Sequence, residues 1–228
     1  FDSEEPALIA QVGSMDKEDE DLDSLTKGFG ESYRIEENSF KPYACCRHTH
    51  AADYCAQLLR GEHRLEPEHI TRIVDHTYQV AVNTVDNPEP STPYGYKFSG
   101  QYCTAAMLVY GHLGESAFTP EATSDPRVRR LMDKITLVCD PELEASYQAD
   151  RNRWAHRLEV TLEDGRVLTR QVEYPYGDFN NPFTWAYEHE KFHTLADGVL
   201  GPDRVAALVE RLPHLEELDD INRLFEGL

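Results

Sequence analysis

Small and apolar residues recur at helical spacing between His50 and Arg60, where Ala51, Ala52, Cys55, Ala56, Leu58 and Leu59 line one side and Gly61 follows as a C-terminal cap. After Pro67 the run from Ile70 to Val82 is β-branched and alternating, which predicts a strand with one wet face. Pro88, Pro90 and Pro93 then make residues 83–95 a long loop. Ser99 stands where it caps a helix over residues 101–110, with Tyr102, Ala105, Ala106, Val109 and Tyr110 on one face and Gly111 at its end. Asp125-Pro126 opens a second such helix, running to about Lys134, and residues 135–139 read as a strand. Residues 154–162 and 166–174 alternate on either side of Glu163-Asp164-Gly165, and Asp-Gly between two such runs marks a hairpin. Beyond Pro175 and Pro182 the pattern turns helical, over about 184–200, 203–212 and 218–225. Helices and strands do not alternate as a βαβ series, so the pattern predicts an α+β fold.

Composition narrows the class. Twenty-two Lys and Arg against 42 Asp and Glu leave a formal charge of −20 in 228 residues. Such a surface repels phosphate backbones and anionic lipid, so nucleic acid and membrane are not the expected partners. No apolar run reaches the roughly 18 residues of a membrane span. Twelve Tyr, nine Phe and two Trp supply a packed core, which an acidic disordered tail lacks. Acidic residues crowd the segment from Asp16 to Asp23, and a thin stripe of Leu22, Leu25 and Phe29 predicts a loop and short helix over residues 1–30. Five cysteines are an odd number in a chain too large to need staples, so reduced thiols and a cytoplasmic location are expected. The start at Phe1, without Met, leads us to expect a piece of a longer polypeptide.

Candidate chemistry concentrates in Lys41-Pro42-Tyr43-Ala44-Cys45-Cys46-Arg47-His48-Thr49-His50, which places four side chains able to carry positive charge, Lys41, Arg47, His48 and His50, at the start of a helix in an otherwise acidic chain. Helix N-termini attract anions through unpaired N–H groups, so the segment suits a small carboxylate or phosphate ligand, or else its cations merely pair with surface acids. Cys45, Cys46, His48 and His50 are zinc-type ligands. Adjacent cysteines rarely aim both thiolates at one ion and no second Cys-x-x-Cys pair follows, so no metal is expected. A nucleophilic Cys46 with a histidine base lacks the local signatures of cysteine hydrolases. Phosphate loops and a Gly-x-Ser-x-Gly elbow are also missing.

The chain resembles the MmgE/PrpD family, whose members include 2-methylcitrate dehydratase, cis-aconitate decarboxylase and iminodisuccinate epimerase. The resemblance rests on an ordered succession over residues 30–228. Phe40-Lys41-Pro42-Tyr43 through Thr49-His50-Ala51 is followed by Phe98-Ser99-Gly100-Gln101-Tyr102 and then Asp164-Gly165-Arg166. Glu173-Tyr174-Pro175-Tyr176-Gly177-Asp178, Asn181-Pro182 and Lys191-Phe192 complete it. It implies a two-domain enzyme without cofactor, in which an all-helical domain and a smaller α+β lid enclose a di- or tricarboxylate. On that plan residues 1–30 end the helical domain, 31–183 form the lid and 184–228 return to the helical domain. The resemblance implies a catalytic lysine from the segment matching Lys41 and a tyrosine from the segment matching Gln101-Tyr102, expected to face one cleft. From their residue types and place beside that segment, Arg47, His48, His50, Gln101 and Cys46 are the expected substrate-binding residues, with Arg47 suited to a second carboxylate and His50 to orienting the lysine segment. Cys46 stands where decarboxylase-like members carry histidine, which counts against a decarboxylase; the expected activity is that of a dehydratase, a carbon–oxygen lyase, with an epimerase or decarboxylase of the same family as the alternative. The family's aspartate, histidines and second lysine belong to its N-terminal helical half, so that half, as the same polypeptide or a separate subunit in a homodimer or hetero-oligomer, is the expected partner. A non-catalytic binding or regulatory subunit is the reading from another class.

Overall fold

The computed structural model describes residues 28–31 and 33–225. The chain divides into two units, residues up to Asn38 and from Ser39 onward. In the first, the described residues make a turn at 28–31 and one 3-10 turn, Arg34–Glu37. The acidic segment from Asp16 to Asp23 and the helix expected there lie outside the described residues.

The second unit is α+β, as the pattern predicts. Helix α1 (His50–His63) leads to strand β1 (Ile70–Thr77), followed by α2 (Gln79–Val85), α3 (Gly100–Tyr110) and α4 (Pro126–Met132). Strand β2 (Ile135–Cys139), helix α5 (Pro141–Ala149), the hairpin β3 (His156–Leu162) and β4 (Val167–Val172), and helices α6 (Trp185–Leu200) and α7 (Pro202–Arg211) complete it. The four strands lie in the order β2-β1-β3-β4, with β1 parallel to β2 and the other neighbours antiparallel. Ile73 sits opposite Ile135 on one side and Val160 on the other, so β1 is the buried axis of the sheet.

Helix α3 is the centre of the core. Every residue from Gly100 to Leu108 is buried, not only the single face that periodicity suggests. Ser99 caps it by accepting from Tyr102 N–H at 3.0 Å, and Gly111 ends it at φ +79°. Full burial of a side chain such as Leu108 contributes roughly 1.5–3 kcal/mol. Helices α1 and α3 pack together, α1 against β3 and β4 and α3 against β2.

Four expectations are corrected. Helix α1 runs through Gly61 to His63, and Arg64 rather than glycine takes the left-handed cap, its N–H bonded to Arg60 O. The strand expected to reach Val82 stops at Thr77, because Ala81 and Val85, four apart, are buried as one helical stripe and tertiary burial overrides β-propensity. Its expected wet face is open only at its start, where Thr71 and Arg72 are exposed; Val74 is buried and His76 half-buried, and Asp75, beside Ile73 and Thr77 on the other face, is buried against His156 with Oδ1 2.7 Å from Nδ1. Residues 218–225 form only a 3-10 turn, Ile221–Phe225, instead of an α-helix. Helix α5 escaped the pattern reading, although Asp140-Pro141 is the same opening signal as Asp125-Pro126, and Asp140 Oδ1 accepts from Glu142 N–H at 2.9 Å.

Candidate active-site loop

The segment from Lys41 to Cys46 is a loop of successive bends held by backbone bonds to segments far away in sequence. Ala44 N–H donates to Leu113 O and Cys46 N–H to Lys97 O, each at 2.8 Å. A 3-10 turn, Arg47–Thr49, then feeds directly into α1. Lys41 is exposed, and its ammonium donates to Cys45 O at 3.1 Å, so it lies folded along the loop.

Arg47 and His48 share one aromatic support. The Arg47 guanidinium carbon stands 5.2 Å from the Trp154 ring centre, and the His48 ring stacks on the same indole at 4.4 Å and 16°. Asp178 clamps the other side of Arg47, with 2.5 Å between Nη2 and Oδ2. Its Oδ2 also accepts from Ser39 Oγ and its Oδ1 from Asn180 N–H, so the carboxylate is saturated and fixed. A guanidinium held this way keeps two features that bind carboxylate: a permanent charge and N–H groups in a rigid plane.

His48 is neutral. Burial, then the charges of His156 and Arg47, lower its pKa to about 4. Its Nδ1 lies 2.7 Å from the Tyr78 hydroxyl. Burial raises the Tyr78 pKa, so that phenol stays protonated and can donate to Nδ1, and in that tautomer Nε2 bears the ring proton. His48 then offers an N–H to an acceptor. Tyr78 is itself fixed by stacking on Tyr147 at 4.2 Å.

Of the other expected site residues, Tyr102, Gln101 and His50 are enclosed in the core, and Cys46 alone stays beside the loop. Tyr102 is 0% exposed, packed against Tyr96 and Phe118, and its hydroxyl donates to Ala117 O. Burial raises its pKa. Lys41 and Tyr102 therefore have different partners, one at the surface and one in the core, and Tyr102 lines no open face of this chain. Gln101 is 2% exposed and ties α3 to the preceding loop, donating to Asp86 Oδ1 at 2.6 Å and accepting from Asn87 N–H at 3.2 Å. His50 is buried edge-on to Tyr43. Cys46 is buried beside Lys41 and His48, and burial raises its pKa.

The grouping that the structure does make is thus Arg47 and His48 with Trp154, Tyr78 and Asp178, with Lys41 and Cys46 on the loop that leads into it. Sequence reasoning singled out none of the last three as site residues. Asp178 belongs to a quoted motif, but Trp154 carries no local signal at all. A model of the MmgE/PrpD C-terminal domain matches residues 43–214. The chain belongs to the MmgE/PrpD family. It is similar to the mitochondrial 2-methylcitrate dehydratase of Yarrowia lipolytica, with 31% identity over 153 residues, covering 64% of this chain and 29% of that protein. It is 35% identical over 111 residues to a 2-methylcitrate dehydratase of Cupriavidus necator, covering 47% of this chain and 23% of that one. A cis-aconitate decarboxylase-like protein of Aspergillus oryzae is 30% identical over 135 residues, covering 59% and 27%. The chain thus spans less than a third of the length of these relatives. Among the described residues no helix is long and apolar enough to cross a membrane.

Proposed function

We propose that this chain is the lid-bearing part of a carbon–oxygen lyase of the 2-methylcitrate dehydratase kind, acting on a small di- or tricarboxylate. The observation that carries the reading is the loop from Lys41 to His48, along which an ammonium, a fixed guanidinium and a neutral imidazole N–H follow one another in a chain of net charge −20. Loss of water from a hydroxy acid develops negative charge next to a carboxylate, and pre-placed cations and donors stabilise that charge more in the transition state than in the ground state. Arg47 and His48 hold the carboxylate, and Lys41, once released from Cys45 O, meets the developing charge. The Tyr102 phenol can relay a proton only by leaving Ala117 O.

The acid and base, on this proposal, come from the N-terminal helical part of the family fold. An exposed apolar stripe supports that reading: Trp185, Leu195 and Val199 lie on one side of α6 and are exposed. The test combines the chain with that helical part and a panel of small hydroxy acids, following alkene absorbance and product mass. Water loss supports the proposal, carbon dioxide loss or inversion of configuration points to another member activity, and binding without turnover makes the chain a binding subunit. Lys41→Ala should lower turnover by roughly a hundredfold or more with little change in melting. Tyr102→Phe decides the relay: lost turnover with unchanged melting supports it, whereas lost stability alone leaves Tyr102 as a core residue.

A further inference from the structure

We propose that Cys45 and Cys103 are a modification site, a thiol pair that hydroperoxides convert to a disulfide, with Cys45 as the attacking sulfur and Cys103 as the resolving one. The site stands whether or not the chain takes part in a lyase. All five cysteines are free, and both members of the pair are buried. Helix α3 brings Cys103 against the candidate loop, where its Sγ and that of Cys45 lie within 4.8 Å of each other. A disulfide bond is about 2.05 Å long, so the gap to close is at most about 2.8 Å, within reach of rotation of the two side chains between staggered positions. Cys45 lies among the bends of the loop and Cys103 on a helix, so the loop is the side that moves. Lys41, four residues before Cys45, is exposed, and local opening of this loop admits a molecule as small as hydrogen peroxide.

The surroundings of Cys45 set it apart from the other thiols. Burial opposes its ionisation, but the Cys103 thiol, the His50 ring and the Thr49 hydroxyl act on the sulfur and together bring its pKa well below the ordinary thiol value. The Thr49 hydroxyl stands 3.2 Å from it. Burial pushes Cys46, Cys55, Cys103 and Cys139 up instead. Asp53 adds no second negative charge, because burial and then the Cys45 charge raise its pKa and the carboxyl stays protonated beside Thr49, with 2.7 Å between Oδ2 and Oγ1. A thiolate with a neutral thiol in reach is the arrangement that reacts with peroxide. The Cys45 thiolate attacks one peroxide oxygen, the O–O bond breaks, and the departing hydroxide takes up a proton to become water, which leaves Cys45 as a sulfenic acid. The Cys103 sulfur then attacks the Cys45 sulfur, the S–O bond breaks, and the hydroxyl departs with the Cys103 proton as a second water. Each sulfur gives up one electron and the peroxide gains two. The link ties the loop to α3, and because Lys41 donates to Cys45 O at 3.1 Å it also alters the hold on that ammonium. A dithiol reductant reverses the step by exchange, taking the disulfide onto its own sulfurs.

The experiment treats the whole folded, reduced chain with hydrogen peroxide, counts free thiols and maps the peptides by mass spectrometry. Expected is the loss of two of the five thiols, a mass lower by two hydrogens, and a Cys45–Cys103 peptide that dithiothreitol releases. Cys103→Ser should stop at the sulfenic acid, trapped by dimedone on Cys45, and Cys45→Ser should slow thiol loss roughly tenfold or more. The proposal is overturned by a folded chain that keeps all five thiols, by a link that maps to another pair such as Cys45–Cys46, by dimedone on Cys46 rather than Cys45, or by a Cys45–Cys103 link that forms only in denaturant. Should a variant not fold, the thiol count and peptide map of the parent chain decide alone.

Discussion

Gly177→Ala tests how the candidate active-site loop is held. Gly177 has φ +87°, and its carbonyl accepts from Phe40 N–H at 2.8 Å, which fixes the residue before Lys41. A Cβ at this position would lie 2.3 Å from the Phe40 carbonyl oxygen and 2.6 Å from the Phe183 ring. Left-handed backbone costs alanine about 1–2 kcal/mol. The carbonyl is main chain and cannot rotate away, so forced displacement adds about 1–3 kcal/mol. A total of about 2–5 kcal/mol lowers the melting temperature of a domain this size by roughly 5–15 °C. Because Asp178 is the next residue, Arg47 should loosen as well, and Trp154 fluorescence should change with it. Thermal melts followed by circular dichroism and by fluorescence measure both. A variant melting within about 2 °C of the parent would refute the argument that Phe40 and Gly177 are in obligatory close approach.

Asp178→Asn keeps the shape and removes the charge facing Arg47. With Arg47 only 16% exposed, a loss of roughly 2–3 kcal/mol is expected in denaturant titration, and an unchanged midpoint would show that the pair is not fixed. For His48, the folded ring titrates at about 4 and an unfolded one at about 6.5, so the unfolded chain takes up the proton first as pH falls. Its contribution is complete above about pH 6.5 and is lost progressively toward pH 4; for a ring only partly shielded from water this amounts to about 1–2 kcal/mol. Comparing His48→Gln with the parent at pH 7.5 and 5.0 isolates that slope, and equal slopes would rule it out.

What could be read in advance followed the range of the interaction. The cap at Ser99, the turn at Glu163-Asp164-Gly165 and the strand Ile135–Cys139 are decided by neighbours a few residues apart, and they stand where the pattern placed them. The end of β1 at Thr77 is decided by burial of Ala81 and Val85, which no local preference encodes. The cluster of Lys41, Arg47 and His48 was visible because its members are adjacent. Its support was not, since Tyr78, Trp154 and Asp178 arrive from three separate elements. Tyr102 shows the converse: its place on a helix was legible, whereas its enclosure by Tyr96, Phe118 and Ala117 depended on how that helix sits in the core.

The clamp between Arg47 and Asp178 spans 131 residues of sequence. Closing a loop that long costs conformational entropy before any contact offsets it. The sheet, the hairpin and both core helices lie inside the loop, so their formation shortens the distance to be closed. The cationic segment therefore reaches its final geometry late in folding, after the scaffold it depends on. A nascent chain that ended before Asp178 would carry Arg47 without its final alignment, so the anion binding proposed for this segment should emerge only with the last third of the sequence.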